Sequence, residues 1–153
     1  MENLDEVLFR EMMSIGRKIF QLRQLAGLTS DISAQEYVVM AAILDSKELP
    51  VNASMISKST GISISYLSKI LNSLELKRLI KRNINSKNRR QILIELTEKG
   101  QVVLEKARRD RVERTKMIVG NLSLEQKEKI WQGLKIFNEA IDKTIDSLKD
   151  RHV

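Results

Sequence analysis

Apolar side chains recur at Leu8, Met12, Ile15, Ile19, Leu22 and Ala26 in steps of four and three, which predicts a long N-terminal helix with one apolar stripe. Gly27 and the Thr29-Ser30-Asp31 cluster are expected to end it. Ser33 with Glu36 three residues on makes a capping box for a second helix. Its run from Tyr37 to Leu44 is apolar almost all round, so burial is expected. Pro50 closes the loop DSKELP, after which Asn52 caps a short helix over Ala53 to Ser59. Thr60-Gly61-Ile62-Ser63 then reads as a tight turn, because Gly61 tolerates a positive φ at a helix end and Ser63 can cap a new helix. That helix, from about Ile64, places Ile64, Leu67, Leu71 and Leu74 on one face with Ile70 beside them. Ser65, Tyr66, Ser68, Lys69, Asn72 and Ser73 fall on the other.

Past Leu79 the period changes from helical to two. Ile80 and Ile84 with the Lys81/Asn83 alternation predict one strand, and Ile92, Ile94 and Leu96 against Leu93 and Glu95 predict another. The polar, basic segment Asn85-Ser86-Lys87-Asn88-Arg89-Arg90 lies between them as a hairpin tip, so the pair forms a β-wing. Thr97 caps a helix whose middle, Lys106 to Lys116, is almost wholly charged and is expected to be exposed. Asn121 marks a break, and Ser123 with Gln126 forms another capping box. The last helix carries Ile130, Leu134, Phe137, Ile141, Ile145 and Leu148 at heptad-like spacing. The stripes of the first and last helices exceed what so small a winged core can cover, and a second copy of the chain would bury both.

Composition narrows the function classes. The chain has 153 residues, is 42% hydrophobic and 31% charged, and contains no cysteine and one histidine, His152. That suits one folded core with a helical extension, and it excludes disulfides, thiolate metal sites and cysteine nucleophiles. No glycine-rich phosphate loop or acid pair at catalytic spacing is present, so neither an enzyme nor a cofactor or metal site is expected. The segment MENLDEVLFREMM carries acids where a secretory signal is basic, and no apolar run approaches a membrane span. A cytoplasmic location and no membrane partner are expected.

Charge points to a partner once it is located. Lys69, Lys77, Arg78, Lys81, Arg82, Lys87, Arg89 and Arg90 face a single acid, Glu75, within that stretch. The net +7 of the chain is therefore the net charge of this segment. A local positive field beside a neutral body suits a phosphate-binding surface, the alternative being a solvated basic face. A helix fits the major groove of DNA, where short polar side chains let its backbone approach base edges. Ser63, Ser65, Tyr66, Ser68, Lys69 and Asn72 are the candidates there, with Tyr66 also able to pack on the preceding helix. Arg82, Asn85, Lys87, Asn88, Arg89 and Arg90 are the candidates on the wing, which would reach an adjacent minor groove.

The stretch from Ile32 to Gly100 resembles the winged helix-turn-helix of the MarR family, the multiple-antibiotic-resistance-type bacterial regulators, and the flanking helices resemble that family's dimerisation domain. The family's wing pattern, Asp-x-x-Asp-Arg-Arg followed after five residues by Leu-Thr-Glu-x-Gly, stands here as Asn85 to Arg90 and then Leu96-Thr97-Glu98-Lys99-Gly100. Two departures stand out. Asn85 and Asn88 replace aspartates, which leaves neutral acceptors at the tip. Arg78 replaces a glycine, so that position either avoids positive φ or is strained. The fold expected is mainly α with a small β-wing: residues 1–32 as an N-terminal dimerisation helix, 33–100 as a DNA-binding domain, and 101–153 as helices completing the dimerisation domain. The resemblance implies a homodimeric transcriptional regulator, usually a repressor, that reads a pseudo-palindromic double-stranded operator and in many members is released by a small-molecule effector. No residue names an effector here. The rival is a helical partner-binding module that uses the winged domain for protein contact.

Overall fold

The computed structural model describes residues 3–25, 31–46, 50–86 and 88–150. Expectations that fall on Ala26, Gly27, Thr29, Ser30, loop residues 47–49, Lys87 and His152 lie outside the described residues. The element order is α1 (Leu4–Leu25), α2 (Ala34–Leu44), α3 (Ala53–Thr60), α4 (Ile64–Leu76), β1 (Ile80–Ile84), β2 (Ile92–Leu96), α5 (Glu98–Val119) and α6 (Leu124–Asp150). The chain divides into two compact units, Met1–Asp110 and Arg111–Val153, with the boundary inside α5.

The helix starts are set by side-chain caps that satisfy amide groups a helix leaves unpaired. Ser33 and Glu36 form the full capping box of α2. Asn52 Oδ1 accepts from the Met55 amide at 3.0 Å to start α3. Gly61, at φ +71°, ends α3, and Ser63 Oγ then accepts from the Tyr66 amide at 3.4 Å to start α4. Thr97 Oγ1 accepts from Gly100 at 2.9 Å to start α5, and Ser123 with Gln126 forms a reciprocal box at α6.

The core of the first unit gathers Ile32, Val39, Met40 and Ile43 of the α2 region and Ile56 of α3. Leu67, Ile70, Leu71 and Leu74 of α4 join them, with Leu79, Ile80 and Ile94 from the wing base. Two expectations are corrected here. The α2 helix is buried on one face only, since Val38 is 45% exposed and Leu44 52%. Ile64, in the first turn of α4, is half exposed, so the buried face of the helix begins at Leu67.

The wing is an antiparallel pair in the register Ile80↔Leu96, Lys81↔Glu95, Arg82↔Ile94, Asn83↔Leu93 and Ile84↔Ile92. Its base is braced by a bridge in which the Ile94 amide donates to the Val51 carbonyl at 2.7 Å. At the α4–β1 joint Arg78 adopts φ +60°, and so takes the strained of the two conformations open to it. The adjoining Leu79 lies so close to α5 that a Cβ on Gly100 would collide with the Leu79 carbonyl. Glycine is required there for close approach of two backbones.

The terminal helices differ from this core. No residue of α1 is buried, and every described side chain of α6 is exposed, Ile130, Phe137, Ile141 and Ile145 included. Trp131 is likewise exposed, with Lys135 Nζ 5.9 Å from its ring centre. No described helix is long and apolar enough to cross a membrane.

Candidate nucleic-acid interface

Ser65, Tyr66, Ser68, Lys69 and Asn72 are all exposed on α4. The burial of Leu67, Ile70, Leu71 and Leu74 fixes this outcome, because a helix that commits those positions to the core must turn the remaining ones outward. Ser63 is partly spent: its hydroxyl caps α4 and lies 3.3 Å from Ser65 Oγ.

The outer face of α4 is joined to the wing by one side chain. Arg82 Nη2 donates to Asn72 Oδ1 at 2.7 Å, and its Nε stands 3.4 Å from Glu75 Oε2, an ion-pair separation without hydrogen-bond alignment. Asn72 and Arg82 are therefore brought together, ten residues apart in sequence, and the amide nitrogen of Asn72 is left uncommitted among the described residues. At the tip, the Asn85 amide donates to the Gln91 carbonyl at 2.9 Å, and Asn85 Nδ2 donates to Gln91 Oε1 at 2.7 Å. Asn88 Oδ1 accepts from the backbone amide of Arg90 at 3.2 Å. The asparagine that replaces a family aspartate thus shapes the turn and leaves the guanidinium out. Arg89 and Arg90 are exposed, and neither side chain has a partner among the described residues.

The cluster of eight cations is smaller in space than in sequence. Lys77 is tied down, its Nζ donating to Glu36 Oε1 and Oε2 at 2.8 and 2.9 Å and to the Asp31 carbonyl at 3.2 Å. Lys81 pairs with Glu95 across the strands at 2.8 Å, and Arg82 is held by Asn72 and Glu75. Three of the eight are thereby neutralised by carboxylates, two of which lie outside the segment. Lys69, Arg78, Arg89 and Arg90 remain without an acidic partner among the described residues.

Glu36 does two jobs that the sequence suggested only in part. Beyond capping α2 it accepts from Ser73 Oγ at 2.8 Å, so one nearly buried carboxylate ties α2 to the last turns of the candidate recognition helix. Burial works against its charge, but the hydrogen bonds from Lys77, Ser33 and Ser73, with the Lys77 charge, outweigh it and hold the carboxyl below its ordinary range. Glu36, Glu75 and Gln91 were missed by sequence reasoning as parts of this surface. Only the register of the wing, which sets Gln91 beside the tip, offered a signal.

Residues 26–107, more than half of the chain, match the family described as transcriptional regulator SarA/Rot. The chain belongs to this SarA/Rot family of transcriptional regulators. Among curated proteins none matches the sequence. Among solved structures the chain is similar to FabT of Streptococcus pneumoniae in complex with DNA, at 23% identity and a TM-score of 0.72, covering 90% of this chain and 97% of that one. It is also similar to wild-type MarR of E. coli, at 17% identity and 0.65, covering 90% and 98%. A third likeness is to PcaV of Streptomyces coelicolor with its natural ligand, at 13% identity and 0.62, covering 88% and 91%. The mainly helical, winged helix-turn-helix fold expected from the MarR resemblance is thus the fold of this SarA/Rot regulator.

Proposed function

We propose that this SarA/Rot regulator acts as a cytoplasmic homodimeric repressor, with no catalytic activity, that reads a pseudo-palindromic operator. In this reading α4 enters the major groove with Ser65, Tyr66, Ser68, Lys69 and Asn72, while Arg89 and Arg90 carry the wing tip to the adjacent minor groove. Ser63, Asn85 and Asn88 shape these two elements and Arg82 clasps them together. Lys87, between Ser86 and Asn88, adds charge to the same tip. Residues 33–100 form the DNA-binding part, and 1–32 with 101–153 form the dimerisation part. The single observation that carries the reading is the survival of Lys69 on the polar face of α4, and of Arg89 and Arg90 at the wing tip, as cations without an acidic partner among the described residues, where other cations of the same segment are neutralised by carboxylates. FabT, which shares the fold, was solved with DNA.

The uncovered stripes of α1 and α6 support dimerisation. Burying such surface contributes about 25 cal/mol per Å², and two-fold symmetry would set two recognition helices about one DNA turn apart. PcaV, of the same fold, was solved with its natural ligand. In this chain an open groove of about 630 Å³, lined by Ala42, Val51, Met55 and Ile56 with Asp45 and Lys58, is the first place to look for an effector. The proposal is tested by selecting bound fragments from genomic DNA and footprinting them. Two protected half-sites about a helical turn apart are expected, and failure to enrich any fragment, or protection of a single half-site, contradicts the reading.

A further inference from the structure

The outer end of one face of the wing plays no part in the proposed function. In a strand, residues two apart share a face, so Ile80, Arg82 and Ile84 line one side of β1, opposite Leu96, Ile94 and Ile92 of β2. The inner two pairs are accounted for: Ile80 and Ile94 are buried, and Arg82 is clasped to Asn72 and Glu75 of α4. The outermost pair continues the same face beyond the end of the core. Ile84 is 70% exposed and Ile92 51%, side by side in register. The Arg82–Asn72 bond fixes which way this face looks: it is the side of the wing turned toward the recognition helix.

A scattered exposed isoleucine needs no explanation, but a registered pair on a two-stranded ribbon does. On the reverse face of the same ribbon the exposed positions carry Lys81 and Asn83. The pair is flanked by the unpartnered cations Arg89 and Arg90 at the tip, and the only carboxylate that an ion pair brings to its face among the described residues, Glu75, is engaged by Arg82. An apolar patch bordered by unpaired positive charge, beside a helix of small polar side chains, complements a polyanion that also has apolar edges. The sugar–phosphate strand of DNA is such a surface.

We propose that Ile84 and Ile92 pack against the deoxyribose edges of the strand that passes between the recognition helix and the wing. They supply an uncharged, salt-independent part of the affinity, while Lys69, Arg89 and Arg90 supply the salt-dependent part. Arg82 then acts as a positioning residue, setting the width of the cleft in which that strand lies.

The inference rests on the DNA reading, and the two fail differently. The probe is a labelled duplex recovered by selection from a random-sequence pool, titrated with full-length protein at several salt concentrations. Two double variants are compared with the wild type: Ile84→Val with Ile92→Val, which keeps an apolar pair, and Ile84→Thr with Ile92→Thr, which keeps nearly the shape and strand preference of the valine pair but exchanges a methyl for a hydroxyl at each position. The valine pair is expected to bind within about twofold of wild type. The threonine pair should bind roughly tenfold more weakly, with an unchanged slope of log affinity against log salt and an unchanged melting temperature. A threonine pair that binds like wild type would overturn the inference alone. So would one that alters self-association and leaves DNA affinity intact, which would assign the patch to a second copy of the chain. Absence of wild-type binding to any duplex would remove the DNA reading and this inference together.

Discussion

The winged lobe and the terminal helices are built from similar residues but solve opposite problems. In the lobe, Leu67, Leu74, Val39 and Ile94 are fully or almost fully buried, helix ends are capped by side chains, and Glu36 and Lys77 compensate each other's charge. In α1 and α6, isoleucines and leucines of the same kind stand half exposed along continuous stripes, and no described side chain is buried. The lobe is complete within one chain. The terminal helices leave their stripes uncovered within one chain, as contiguous exposed apolar surface of the kind that marks an interaction site, and the proposed dimer would cover them.

The comparison can be broken by matched substitutions. Leu74→Ala removes a fully buried side chain from the lobe and should cost about 2–5 kcal/mol in chemical denaturation, through lost transfer energy and the cavity left behind. The destabilisation caused in α6 by Phe137→Ala should instead depend on protein concentration, since it acts through association. If both variants lose stability independently of concentration, α6 belongs to the monomer's own fold and the contrast fails. Gly100→Ala comes next, because its new methyl must displace the Leu79 carbonyl. A loss of about 1–3 kcal/mol is expected by thermal unfolding, the range for overpacking.

Glu36 sharpens the contrast from the electrostatic side. Glu36→Ala leaves the Ser33 amide and Ser73 hydroxyl without their acceptor and should cost about 1–3 kcal/mol. The wild-type carboxyl is held below its ordinary range in the folded lobe, so its contribution is fully present above the unfolded carboxyl's pKa and is lost as pH falls through the lower folded value. Melting temperatures recorded downward from neutral pH should therefore fall more steeply for the wild type than for Glu36→Gln. Equal pH profiles would mean that the carboxylate is not held by Lys77, Ser33 and Ser73 in solution. The smallest effect is expected at Arg78→Gly, which relieves φ +60° at the cost of a freer unfolded chain and should stabilise by at most about 1 kcal/mol.

The features legible in the sequence were local ones. The Ser33, Asn52, Ser63, Thr97 and Ser123 caps, the Gly61 turn and the hairpin between Ile84 and Ile92 all depend on residues within a few positions of one another. Their chemistry is therefore visible in the order of the chain. The one-sided burial of α2 was not legible, since its apolar run does not say which side meets a neighbour. The candidate site divided in the same way. The outward face of α4 followed from periodicity, but the fates of the cations did not. Lys77 finds Glu36 forty-one residues away, and Arg82 finds Asn72 across the joint. Counting charge along the chain therefore overstated the free positive surface, because pairing is a property of distance in space.

That division among the cations is where the account is most exposed. The slope of log affinity against log salt counts the phosphates that a protein neutralises, at about 0.9 per phosphate for duplex DNA. Measured on a selected operator duplex, Arg89→Ala with Arg90→Ala should lower that slope by close to this amount for each phosphate no longer neutralised, whereas Lys81→Ala, whose ammonium is already held by Glu95, should leave it nearly unchanged. An unaltered slope in the arginine variant, or an equal drop in the lysine variant, would contradict the assignment of the wing tip to the DNA backbone.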